Sequence, residues 1–390
     1  YAATSYAPDA ARKLDALPAA ATTDTTREWR VRLALVAGDW RKVLDALDAL
    51  SAEQQSDEVW RYWRARALAE RGQDAASRAA FATIAGNADF YGFLAADWLG
   101  QRYVICADQL VGSVAEDATL LRVAPLDRAF ELKAIGLEAP ARREWAQAMG
   151  ELDADQQRLA ADLATRRGWY SRAIVTLNSG TNRRLYDLRY PLAYRQAMEG
   201  NATTAGIEPA WAFAIARAES AWIPDARSGA NARGLMQLLP ATAREVAKRD
   251  NLPYRHAADL YDPAINIPLG THYLARMAAR YQGAPWLASA AYNAGAGNVG
   301  RWLDARGTLA PDVFVASIPF NETRAYVRRV MAYTVIYDWR LHGAAEPLSA
   351  RMPRIGEAYA PSDTNTPRKA VTCPAPVPAS ASSSATTAGG

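Results

Sequence analysis

Apolar residues along this chain recur at helical spacing, with few β-branched runs and little alternation of apolar with polar positions. The pattern predicts a nearly all-α protein. Trp29 is followed at helical distance by Gly38, and Trp63 by Gly72, the two pairs offset by 34 residues. Each copy reads as a helix, a glycine turn and a second helix. Trp40, Val43, Leu44 and Leu47 form the stripe of the first copy, and the second runs from Tyr62 through Glu70 to Ala75 and Ile84. A period near 34 suits a tetratricopeptide-like hairpin. Two matches also fit unrelated Ala-rich helices that share a spacing. Helix-Gly-helix units follow at Leu126–Gly136–Met149 and Leu159–Gly168–Leu177. The pattern breaks at Asn178–Asn182, where turn residues cluster, and Tyr190-Pro191 marks a new segment. From Pro191 to His342 the chain gains polar and aromatic residues. Beyond Gly343 it turns to Pro, Ser, Ala and Thr, which predicts a disordered, linker-like tail over 346–390.

Composition narrows the function classes. Half of the 390 residues are apolar, enough for two or three domains. Lys+Arg is 45 against Asp+Glu 41, a net charge of +4 with a pI near 9.0. That balance permits an acidic partner without demanding nucleic acid. Cys106 and Cys373 are the two cysteines and His256, His272 and His342 the three histidines. A disulfide-stapled mini-fold and a Cys-rich metal site are excluded, and little scope remains for zinc. No apolar run approaches the roughly 20 residues of a membrane helix. The first residue is Tyr1, and no signal peptide precedes it, so the chain reads as processed or as a fragment.

One carboxylate stands out. Glu208-Pro209 opens a helix through Trp211 and Ile215 to Glu219, three positions on one face. That face is apolar until its last turn, where it carries the acid. Desolvation and the negative end of the helix dipole both raise the pKa of such a glutamate. A carboxylic acid kept protonated near neutrality suits glycosidic cleavage, where the leaving oxygen must receive a proton. The same Glu also fits a structural residue bonded to backbone or to an arginine. Further on, Ser228 to Gln237 is a turn-rich link into a helix starting at Pro240, and Ser289 to Gly300 opens another helix. Gly295, Gly297 and Gly300 match a dinucleotide-binding pattern literally, with Glu322 about 20 residues on. The stretch before them, Pro285 to Ala291, is helix-like, and no parallel-sheet pattern lies nearby, so that reading is set aside.

Four stretches carry a family resemblance: Ala218-Glu219-Ser220, Gly234-Leu-Met-Gln237, Ala291-Tyr292-Asn293-Ala-Gly295, and Ile318-Pro319-Phe320 with Glu322, Arg324, Tyr326 and Val327. In this order they resemble the soluble lytic transglycosylases, the SLT family of peptidoglycan-cleaving enzymes. The segments Phe90–Ala95 and Tyr186–Leu192 are similar to that family's helical and linker regions, so the resemblance runs from about 25 to 342.

The resemblance implies a helical superhelix over 1–118, a linker helical domain over 119–190 and a lysozyme-like catalytic domain over 191–345. It implies Glu219 as the single acid/base, with Ser228, Gln237, Tyr292, Asn293, Glu322 and Tyr326 lining the saccharide groove. Bland roles remain open for several of them: Ser228 as a turn former, Gln237 as a surface residue, Tyr292 as core and Glu322 as an acid favoured at a helix start. Asn231 stands where the family usually has Gly, and Leu239 where it often has Met. Asn tolerates positive φ, so the turn is expected to survive. The implied activity cleaves the MurNAc–GlcNAc bond of peptidoglycan strands in the periplasm, leaving 1,6-anhydromuramic ends, with no metal or other cofactor. A hydrolytic muramidase of goose-type-lysozyme kind and a non-catalytic helical scaffold are the alternatives. Family superhelices use more helices than 1–118 supplies, so the chain is expected to be the C-terminal portion of a larger ring-forming enzyme.

Overall fold

The computed structural model describes residues 6–360 and 367–373. Among them the α-helices number 21, against one two-stranded ladder, so the fold is all-α as the periodicity predicted. The helix-Gly-helix units form as read: Asp24–Val36 with Trp40–Asp48, Glu58–Glu70 with Asp74–Ala82, Ala124–Ala134 with Glu138–Glu151, and Ala154–Arg166 with Tyr170–Thr176.

The turns explain why glycine recurs. Gly38, Gly72, Gly136 and Gly168 all take φ between +65 and +78. At Gly72 the Gln73 amide donates to Leu68 O at 2.9 Å and the Gly72 amide to Ala69 O at 2.9 Å. The same pair of bonds closes the other three turns. A left-handed glycine thus satisfies carbonyls that the helix end leaves orphaned.

Two main cores result. One runs through residues 31–105 and resumes over 174–352, so the first helical hairpins and the last helices share one interior. Tyr62 Oη and Arg66 Nε both donate to Asp312, at 2.8 and 3.0 Å, across that seam. The other core belongs to the helices between 114 and 169, where Phe130, Trp145 and Trp169 meet edge to face at 5.4–6.0 Å. From this unit Arg142 forms a forked ion pair with Asp225, just beyond the helix that carries Glu219.

Two expectations need correction. The stretch Ser289–Gly300 does not simply open a helix. It closes Pro285–Ala294, turns at Gly295 with φ +83, and opens Ala296–Arg306. The tail expected to be disordered from 346 is packed over 346–360 and 367–373, while 361–366 and 374–390 lie outside the described residues. Ala344–Ala345 pairs antiparallel with Lys369–Ala370, Leu348 and Arg351 are fully buried, and Cys373 is disulfide-bonded to Cys106. Composition misled because this segment is held by ion pairs, backbone bonds and a disulfide to distant residues rather than by an apolar stripe of its own.

Candidate active site

Glu219 sits in the last turn of the helix Pro209–Ser220, which starts at Pro209, with Glu208 at the N-cap position making no side-chain cap bond. Trp211 and Ile215 bury the same face, and Trp211 Nε1 donates to Ser289 Oγ at 3.0 Å. The helix ends on Ala221 and Trp222, both left-handed at φ +48 and +65. Such backbone in consecutive non-glycine residues is strained, and tertiary packing must hold it. The Trp222 ring is buried and donates from Nε1 to Tyr337 Oη at 3.2 Å.

The terminal helix Asn321–His342 supplies the partner. Tyr326 is buried and its Oη donates to Glu219 Oε1 at 2.6 Å. Burial pushes the Glu219 carboxyl up to about 7, the nearby Glu322 charge adds to the rise, and the Tyr326 hydroxyl and the Arg329 guanidinium oppose it. The result is an acid close to half-protonated at neutrality. It can give a proton and, once spent, take one back. Tyr292 lies close enough that Glu219 helps raise its hydroxyl pKa, after burial itself, and its Oη donates to Met236 O at 2.7 Å.

A profile described as the transglycosylase SLT domain matches residues 196–315, and one for the soluble lytic murein transglycosylase L domain matches 119–182. A third, the soluble lytic transglycosylase helical domain, matches 317–346. The chain belongs to the soluble lytic transglycosylase family. It is 38% identical over 324 residues to a putative soluble lytic murein transglycosylase of Haemophilus influenzae, covering 81% of this chain and 52% of that protein. It is 35% identical over 314 residues to the soluble lytic murein transglycosylase of Escherichia coli, covering 80% of this chain and 48% of that one. The solved lytic transglycosylase Slt of Pseudomonas aeruginosa, in an inactive Glu-to-Gln form, superposes with TM-score 0.81 at 36% identity, covering 89% of this chain and 56% of that chain. The 70 kDa enzyme of Escherichia coli gives 0.79 at 32%, covering 87% and 55%. The chain thus spans about half the length of the relatives it matches.

The four family motifs do not play equal roles in the fold. Glu219, Tyr326, Tyr292 and Glu322 converge by contact or through charge. Asn293 Oδ1 accepts from Thr323 Oγ1 at 2.6 Å and so ties the helix Pro285–Ala294 to the start of the terminal helix. Gln237, left-handed at φ +46, turns its Nε2 onto Ala226 O and Gly234 O at 3.1 and 2.8 Å. Ser228 is exposed, and its Oγ accepts the Ala232 amide at 3.0 Å. Both side chains thus brace their own loop. Asn231 adopts φ +67, the conformation expected of a glycine stand-in.

Sequence reading missed two supports of this site. Asn266, fully buried, donates to Arg233 O and Leu260 O and accepts the Met236 amide at 2.8 Å, which holds the 233–236 loop. Arg329 lies over the Tyr326 ring at 5.9 Å. Its spacing from Glu322 and Tyr326, seven and three residues, was a helical-face signal available in the sequence. Asn266 offered none, since a lone Asn inside a helix carries no periodic mark.

Proposed function

We propose that this chain cleaves peptidoglycan strands as a lytic transglycosylase, with Glu219 as both acid and base. The observation that carries the reading is the buried Glu219, raised to about 7 and held by Tyr326 at 2.6 Å. Glu219 gives its proton to the oxygen between MurNAc and GlcNAc, and the C1–O bond breaks. The substrate's 2-acetamido group stabilises the oxocarbenium-like C1. Glu219, now carboxylate, takes the proton of the C6 hydroxyl as O6 closes on C1. A 1,6-anhydro ring forms, water is not consumed, and Glu219 is protonated again.

In this reading Ser228, Gln237, Tyr292, Asn293, Glu322 and Tyr326 line or shape the saccharide groove. The catalytic domain is 191–345, the linker domain 119–190 and the superhelical region 1–118. We place the protein in the periplasm. The Cys106–Cys373 disulfide supports an oxidising compartment, and no helix among the described residues is long and apolar enough to cross a membrane.

Digestion of purified sacculi tests the chemistry. Muropeptides weighed without borohydride treatment should end in anhydromuramic acid, about 18 Da lighter than hydrated ends because no water is added. Glu219→Gln keeps the shape and removes the proton, so activity should fall at least about 10²-fold. Predominantly hydrated ends would overturn the transglycosylase reading and make Glu322 the candidate base for water.

A further inference from the structure

The helix Pro209–Ser220 and the terminal helix Asn321–His342 run antiparallel, because they are tied at both ends by residues in opposite order. At one end Tyr326 donates to Glu219. At the other, Glu208 and Asp338 share a third residue, Arg351, which lies on neither helix. Between the ties Phe213 stacks on Tyr337 at 5.2 Å.

Arg351 is fully buried. Its Nε donates to Glu208 Oε2 at 3.1 Å, its Nη2 to Glu208 Oε1 and, at 2.9 Å, to Asp338 Oδ2, and its Nη1 to the Glu346 carbonyl at 2.8 Å. The Glu346 carboxylate is 3.2 Å from the same Nη2 and accepts from Tyr359 Oη. Arg368 Nε adds a bond to Asp338 Oδ1 at 2.8 Å. A planar guanidinium fork can join several carboxylates in one fixed geometry, which a lysine ammonium cannot. Desolvating three carboxylates is unfavourable, and an apolar plug of equal volume often stabilises a fold as well. The arrangement is therefore better explained by the register it enforces than by stability alone.

The segment that carries Arg351 is itself anchored elsewhere. The Leu348 amide donates to Tyr103 Oη at 2.6 Å and the Ser349 amide to Asp97 Oδ2 at 2.8 Å. The Thr372 amide donates to Tyr103 O, the Ile105 amide to Thr372 O, and Cys373 bonds Cys106. Both ends of the device thus grip the helical region near 97–106, and Arg351, between those anchors in sequence, grips the entry of the helix that bears Glu219.

We propose that residues 344–360 and 367–373 act as a positioning strap for Glu219, in which Arg351 fixes the far end of the acid-bearing helix against the terminal helix and so sets the Glu219–Tyr326 contact. The inference rests on the acid/base role proposed for Glu219. Glu219 lies eleven positions beyond Glu208, a helical rise of about 16 Å. Tilt at one end is displacement at the other, and a misplacement near 1 Å can lower a rate about 10²-fold. Arg351 touches neither Glu219 nor its surroundings, so it is a positioning residue and not a catalytic one.

The test is steady-state turnover of soluble uncrosslinked peptidoglycan strands by the wild-type chain, Arg351→Lys and Glu208→Gln, each first shown to melt in one cooperative transition. Should Arg351→Lys fail to fold, Glu208→Gln carries the comparison. The strap predicts a kcat at least about tenfold lower with KM within about twofold, since the lost effect falls on the reacting geometry rather than on binding. In the Tyr326→Phe background the same substitutions should lower kcat by much less, because both act through one contact. An unchanged kcat in a folded variant, or losses that multiply independently of Tyr326→Phe, overturns the strap. A wild-type chain that releases no muropeptides overturns the functional reading, and the strap's role with it.

Discussion

In the proposed reaction Glu219 has to be a proton donor before it can be an acceptor, and its surroundings set how far each form is favoured. Burial and Glu322 favour the protonated acid, while the Tyr326 hydroxyl and Arg329 favour the carboxylate. With its pKa near 7 against an ordinary 4.5, the proposed reaction should slow as pH rises through about 7, where the donor is lost. Tyr326→Phe removes a bond made to the charged form, so the Glu219 pKa should climb and the alkaline limb of the rate profile should move to higher pH. A limb that stays in place would show that Glu219 does not control it. Stability follows the same sign. A carboxyl raised in the folded state binds its proton more tightly there than in the unfolded chain. Its contribution is present below about 4.5 and lost as pH rises through about 7. Between those values the wild type should therefore lose stability relative to Glu219→Gln, as urea titrations at several pH values would reveal.

At the scale of elements, two kinds of left-handed residue must be separated. Gly38 has φ +65, and a Cβ added there would meet nothing within 4 Å. Gly38→Ala should cost about 1–2 kcal/mol, the penalty of a left-handed alanine. Gly234 has φ +77, and a Cβ there would lie 1.9 Å from Leu260 O and 2.3 Å from Asn266 Nδ2. Backbone cannot retreat as a flexible side chain can, so Gly234→Ala should cost well over about 2 kcal/mol. It should also disturb the loop that presents Met236 O to Tyr292. Thermal melts of the two variants compare these outcomes, and equal losses would show that the Gly234 loop adapts. The helix starts at Pro209, Pro240 and Pro285 were legible because Pro fits the first turn and little else in a helix. The break at Gly295 was missed because helical residues flank it on both sides, and its φ of +83 leaves no periodic signature.

At the scale of the molecule, the strap joins the chain's two halves. Cys106 and Cys373 are 267 residues apart in sequence, and their bond closes a very long loop. Cys106→Ser should lose about 2–4 kcal/mol in urea denaturation. Wild-type protein under reducing conditions should lose the same amount, and the variant should then be insensitive to reductant. If reduction leaves the wild-type midpoint unchanged, the noncovalent anchors at Asp97 and Tyr103 hold the strap without the disulfide.

What this sequence determined by itself is what local physics writes into it. Helical period, left-handed glycines and first-turn prolines each act within a few residues, so the all-α class and the four hairpins could be read directly. The motif order from Ala218 to Val327 also pointed to the family and to Glu219 as the acid. Only the tertiary structure decided which polar residues meet. Tyr326 reaches Glu219 across 107 positions, Arg351 reaches Glu208 across 143, and Cys373 reaches Cys106 across 267. A single polar residue has no period, and whether its charge is buried, shifted or neutralised depends on a partner that folding alone brings near. For that reason a tail poor in long apolar side chains read as disordered, although in the folded chain it is clamped from 346 to 360.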